Sequence, residues 1–116
     1  VILWGAVVRA TGAGAGCGSH WPLCNGEIVP LAKTIATRIE FFHRVTSGLS
    51  LLLVVGLWVG CLRKLTHGHR ARLYSSASLI LIIIEAIVGA GLVIFGFVAH
   101  DDSTARAWVI SFHLIN

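Results

Sequence analysis

The stretch IEFFHRVTSGLSLLLVVGLWVGCL, residues 39–62, decides the fold. Beyond Arg44 it carries no charged residue, and its length meets the requirement of about 20 mostly apolar residues for a membrane-spanning helix. Its ionisable residues, Glu40, His43 and Arg44, all lie at its start. A second apolar run, residues 73–97, is interrupted only by Glu85. Between the two lies a short basic loop, residues 63–72, holding Arg63, Lys64, Arg70 and Arg72.

The composition agrees. Of 116 residues, 56% are apolar and only 12% are charged, about half the charged share of an ordinary soluble domain. The ionisable residues are clustered and separated by long apolar runs, which excludes a soluble globular fold. A net charge of +4 raises the question of nucleic acid, because basic patches attract phosphate. The positive charges concentrate in the 63–72 loop, the placement that orients membrane helices, so no nucleic-acid partner is expected.

Working outward, residues 1–9 read as the end of a first helix and 10–38 as a loop rich in glycine and containing both prolines. Residues 98–104, with His100, Asp101, Asp102 and Ser103, read as a short loop with helix-start chemistry. Residues 105–116 then begin a fourth span. The class expected is an all-α membrane protein, a four-helix transmembrane bundle cut at both ends from a longer chain. The positive-inside rule puts loop 63–72 in the cytoplasm and loops 10–38 and 98–104 outside. Gly56 and Gly60, and the cluster Ala86, Gly89, Ala90 and Gly91, read as close helix contacts.

Glu40 and His43, three apart, share a helix face. Ionisable residues within a span are expensive and generally face a bundle interior, a cavity or a cofactor; the plainer reading leaves them at the interface, touching water. At 1.5 Å per residue, His43 lies about 6 Å below Ile39 and His113 about 13 Å below Thr104. Both depths fall in the outer half of a hydrocarbon core roughly 30 Å thick. Two histidines entering from one side on separate helices can take the two axial positions of a haem iron. Zinc wants more donors.

Cys17 and Cys24 share the outer loop with His20. A structural disulfide, a thiol–disulfide redox pair and a metal site are the readings, in that order. Cys61, at the cytoplasmic end, is expected to stay a thiol. Gly12-Ala13-Gly14-Ala15-Gly16 lacks the strand and helix that a nucleotide-binding turn needs and is set aside. Glu85, near mid-membrane, is open to either a functional or a packing role.

Taken together, these segments resemble the haem A synthase family. The residues that carry the likeness are Gly5-Ala6-Val7-Val8-Arg9-Ala10-Thr11-Gly12, Gly16-Cys17, Trp21-Pro22-Leu23-Cys24-Asn25-Gly26, Ile39-Glu40-Phe41-Phe42-His43-Arg44 and His113-Leu114. The stretch from Glu85 to Val93 resembles the family's third helix, where many relatives have glutamine in place of Glu85. The resemblance implies eight transmembrane helices in two similar halves, with this chain in the N-terminal one. It implies oxidation of the C8 methyl of haem O to a formyl group, giving haem A for cytochrome oxidase. His43 and His113 would be axial ligands at the haem O site, Arg44 a cofactor-binding neighbour and Glu40 the catalytic carboxylate. Cys17–Cys24 would be the outer-loop disulfide or redox pair, and haem b would sit in the C-terminal half. The implied setting is the plasma membrane, with lipid, haem O synthase and oxidase assembly factors as partners and homo-oligomers as an option. The competing readings are an electron-carrying bis-His cytochrome b and a transporter half in which Glu40 and Glu85 relay protons.

Overall fold

The computed structural model describes residues 1–31, 34–98 and 101–115. Among them the chain forms four α-helices: α1 Ile2–Ala10, α2 Ile35–Lys64, α3 Arg70–Ile94 and α4 Thr104–Ile115. His100 lies outside the described residues. At 1.5 Å per residue, the 30 residues of α2 and 25 of α3 reach about 45 and 37 Å, and both helices are long and apolar enough to cross a membrane. The chain packs α1 on α2, α2 on α3 and α3 on α4 into a slab of 49 × 34 × 21 Å.

The helices extend past the apolar runs. α2 starts at Ile35 rather than 39, because Thr34 caps it: its hydroxyl accepts from Thr37 N–H at 3.2 Å. At the other end Arg63 and Lys64 remain helical, where cations complement the helix dipole. The link to α3 therefore shrinks to residues 65–69, with Gly68 at φ +90° and His69 Nδ1 capping Ala71 N–H. α3 stops at Ile94 because Gly96, at φ +73°, turns the chain out of the helix. Ser103 opens α4 by accepting from Arg106 N–H at 3.1 Å.

Large apolar side chains face outward along the spans, among them Leu52, Leu53, Leu57, Ile80 and Ile87. In an all-α membrane protein segment that face belongs against lipid or neighbouring helices. Contacts between helices are instead partly polar: Trp4 Nε1–H donates to Ile39 O at 2.9 Å, and Trp58 Nε1–H to Ser76 Oγ at 3.1 Å. Gly56 and Gly60 meet nothing within 4 Å among the described residues. They mediate no helix contact within this segment.

Burial concentrates in the loop before α2. Ala13, Cys17, Cys24, Thr37 and Glu40 are all nearly inaccessible. Here the loop backbone lies directly on the first turn of α2, and a Cβ added at Gly16 would come within 2.4 Å of the carbonyl of Ala36. Only glycine permits that approach. Gly16→Ala should destabilise the protein by the 1–3 kcal/mol typical of overpacking, and Gly14→Ala, whose nearest new contact is Val98 Cγ1 at 3.4 Å, by clearly less. Thermal unfolding of the two variants in detergent checks this; equal midpoints would contradict the docking.

Candidate functional site

The loop between α1 and α2 is built around a hairpin. Asn25 and Gly26 have φ of +54° and +82°, the conformation a type I′ turn demands and Asn-Gly supplies. Cys24 and Glu27 exchange both backbone hydrogen bonds, at 3.0 and 2.9 Å. Cys17 and Cys24 are joined in a disulfide, and Cys17 O accepts from Asn25 N–H at 3.0 Å. Cys61 is a free thiol.

This loop is fastened to α2 by side chains one turn apart. Thr37 Oγ1 donates to Gly16 O at 2.9 Å. Glu40, only 3% exposed, accepts from Cys17 N–H at 2.7 Å through Oε2. Its Oε1 accepts from Nε and Nη2 of Arg44. The same guanidinium donates through Nη1 to His20 O and Leu23 O, at 2.6 and 2.8 Å. A buried charge requires this degree of compensation, and Arg suits it because its planar fork serves several acceptors at once.

Below the loop, His43 of α2 and His113 of α4 are partly buried and lie within electrostatic range of each other. Each imidazole rests on a glycine of a neighbouring helix. A Cβ at Gly5 of α1 would lie 3.3 Å from His43 Cε1, and one at Gly89 of α3 would lie 3.2 Å from His113 Cε1. Both separations are tighter than ordinary side-chain contact, so the absence of a Cβ lets the rings lie against the helices. His43 Nδ1 is buried without a hydrogen-bond partner. Glu85 Oε1 lies 3.0 Å from His113 Nδ1, a close approach whose alignment falls short of a hydrogen bond.

These features fit a haem between the helices. Partly buried imidazoles without aligned protein partners are suited to an iron, and each ring sets its Cε1 edge toward a glycine of a neighbouring helix. Among the described residues no three His, Cys, Asp or Glu side chains gather as a metal-binding group, so the pair does not resemble an ion cage.

The structure thus brings His43 and His113 to one region and sorts the other candidates differently. Glu40 and His43 start from one helix face, yet the Glu40 carboxylate turns to the outer loop while the His43 ring turns to α1. The donors of Arg44 face Glu40 and the loop carbonyls. Sequence reasoning passed over Gly5, Gly16 and Thr37. Gly5 and Gly16 stand in the quoted family-like motifs, but nothing in spacing alone shows what each one touches. Glu85, left open by its sequence, lies beside His113.

The chain matches, over residues 1–116, the family model described as COX15-CtaA, Cytochrome oxidase assembly protein. It is 51% identical over its full length to a protein named Protoheme IX farnesyltransferase from Thermus thermophilus, of which it covers 19%. Over 83% of the chain it is 45% identical to a Heme A synthase of Alkalihalophilus pseudofirmus and 41% identical to that of Halalkalibacterium halodurans, covering 32% of each. The chain therefore spans from about a fifth to about a third of the curated relatives it matches. No solved structure matches it. A histidine on each of α2 and α4, a loop closed by a disulfide and this match along every residue have one common reading: the chain belongs to the COX15-CtaA family of cytochrome oxidase assembly proteins.

Proposed function

We propose that this chain forms the substrate-haem site of a heme A synthase, which oxidises the C8 methyl of haem O to the formyl group of haem A. The observation that carries the reading is the pair of imidazoles, His43 and His113, brought together from α2 and α4 and each seated on a glycine. The names of the relatives support it from both sides. Several are heme A synthases, and the Thermus relative is named for adding a farnesyl group to protohaem, the chemistry that supplies haem O. Haem handling is common to both.

In this reading His43 and His113 would hold haem O, and the bound haem would supply the redox chemistry, a four-electron oxidation of the methyl group whose electrons pass on to an external acceptor. The protein supplies ligation, orientation and electrostatics. Glu40 is the proposed catalytic carboxylate, one helical turn from His43. Both of its oxygens already accept hydrogen bonds, which favours a fixed charge that stabilises a developing positive centre over a mobile proton carrier. Arg44 holds that charge in place and, through the loop carbonyls, closes the outer end of the site. Haem b in the C-terminal half is part of the same proposal. So are a plasma-membrane location with loop 10–38 outside, and the supply of substrate by a haem O synthase.

Two predictions test this in the full-length membrane protein. His43→Ala and His113→Ala should each abolish bis-histidine low-spin haem at this site; unchanged haem content and low-spin spectra in both variants would refute the ligand assignment. Glu40→Gln should retain haem and the Cys17–Cys24 disulfide yet lower turnover by about 10²–10⁴-fold, the usual effect of losing such a group. Haem O or the partly oxidised alcohol should then accumulate in extracted pigment. A wild-type yield of haem A from Glu40→Gln would remove Glu40 from catalysis and leave it the loop's anchor alone.

A further inference from the structure

The two histidines are not equivalent in what stands behind them. Glu85 and Gly89 lie one turn apart on α3, so they share a face, and the His113 ring lies across both. Its Cε1 edge is over Gly89, and its Nδ1 is 3.0 Å from Glu85 Oε1. The register is consistent with an antiparallel pair. Glu85 lies about 13 Å along α3 from Ile94, and His113 about 13 Å along α4 from Thr104. Both Nδ1 atoms are buried without an aligned hydrogen-bond partner, but among the described residues only that of His113 has a carboxylate oxygen within 4 Å; Gly5 faces the His43 ring where Gly89 faces that of His113.

We propose that Glu85 is a positioning residue for His113: its Oε1 accepts the Nδ1 proton, which leaves the Nε2 lone pair as the iron donor and makes His113 the stronger of two unequal axial ligands. The proposal rests on the haem reading above. A neutral imidazole carries its proton on one nitrogen only, so an acceptor at Nδ1 fixes the tautomer that can ligate through Nε2. The carboxyl group turns about a soft terminal torsion, and a small rotation converts the observed approach into an aligned hydrogen bond. Such outer partners orient a ligating histidine and make it a better donor. A better donor favours ferric over ferrous iron, so the contact lowers the potential of the haem it serves. Among the described residues His43 has no carboxylate within 4 Å, which leaves it the weaker donor.

The test uses full-length protein and spectroelectrochemistry of the low-spin haem whose signal His113→Ala abolishes. Glu85→Leu fills the same space but offers no acceptor. It should weaken the ferric preference by about ten-fold, a rise in midpoint potential of about 59 mV for one electron, with altered low-spin g values. Glu85→Gln keeps an acceptor oxygen and should restore the wild-type potential. If Glu85 only fills space, Leu leaves the potential and g values unchanged, and that result overturns the proposal. Should Glu85→Leu fail to accumulate, the redox-difference infrared spectrum of the wild type decides: a carboxyl band that moves on haem reduction and vanishes in Glu85→Gln supports the contact, and no such band overturns it. A low-spin signal that survives His113→Ala sinks the haem reading itself, whereas a signal lost there but indifferent to Glu85→Leu sinks only the positioning role.

Discussion

A carboxylate withdrawn from water must be met by donors, and at Glu40 the donors come from two directions. Cys17 N–H approaches from the disulfide-closed loop, and the Arg44 guanidinium from the next turn of α2. Arg44 in turn reaches back to His20 O and Leu23 O, so the segment leading into the hairpin is gripped along its length. Removing any member leaves a buried polar or charged group unsatisfied, which is generally costlier than the net gain of a single hydrogen bond. Thr37 and Gly16 complete the seat, one by a hydrogen bond and the other by having no Cβ. The position of the loop before α2 follows from this small polar cluster.

Elsewhere the structure follows the rules of a bilayer. With leucine and isoleucine pointing outward along α2 and α3, apolar burial within the segment is slight, and the residues that are most buried are small or polar. Helices meet through indole donors, through glycine and through imidazole.

Much of this was legible in the sequence, and the limits are instructive. The apolar runs after Arg44 and around Glu85 announced the spans, since only long uninterrupted helices satisfy the backbone inside lipid. Helix ends were less legible because Arg63, Lys64, Arg70 and Arg72 read as loop by charge, whereas basic residues at the membrane surface remain helical. His43 and His113 stood out because histidine in a span is expensive. Their glycine seats did not: Gly5 and Gly89 are 38 and 24 residues from the rings they carry, and only tertiary packing relates them. Glu40 was legible as important, but which way its carboxylate turns depends on the loop backbone, and no helical periodicity records that. The Asn25-Gly26 turn carried a signal that composition alone treats as generic loop.

The loop's anchors also bear on how the protein is made. Cys17 and Cys24, seven residues apart, leave the ribosome before Thr37, Glu40 and Arg44. The disulfide partners are thus available to each other early, while the side chains that fasten the loop to α2 are still to be synthesised. Until α2 enters the bilayer in the correct sense, the amide of Cys17 and the carbonyls of His20 and Leu23 have only water to satisfy them. The cap is therefore completed only once α2 has formed, and its closure reports that loop and helix have met.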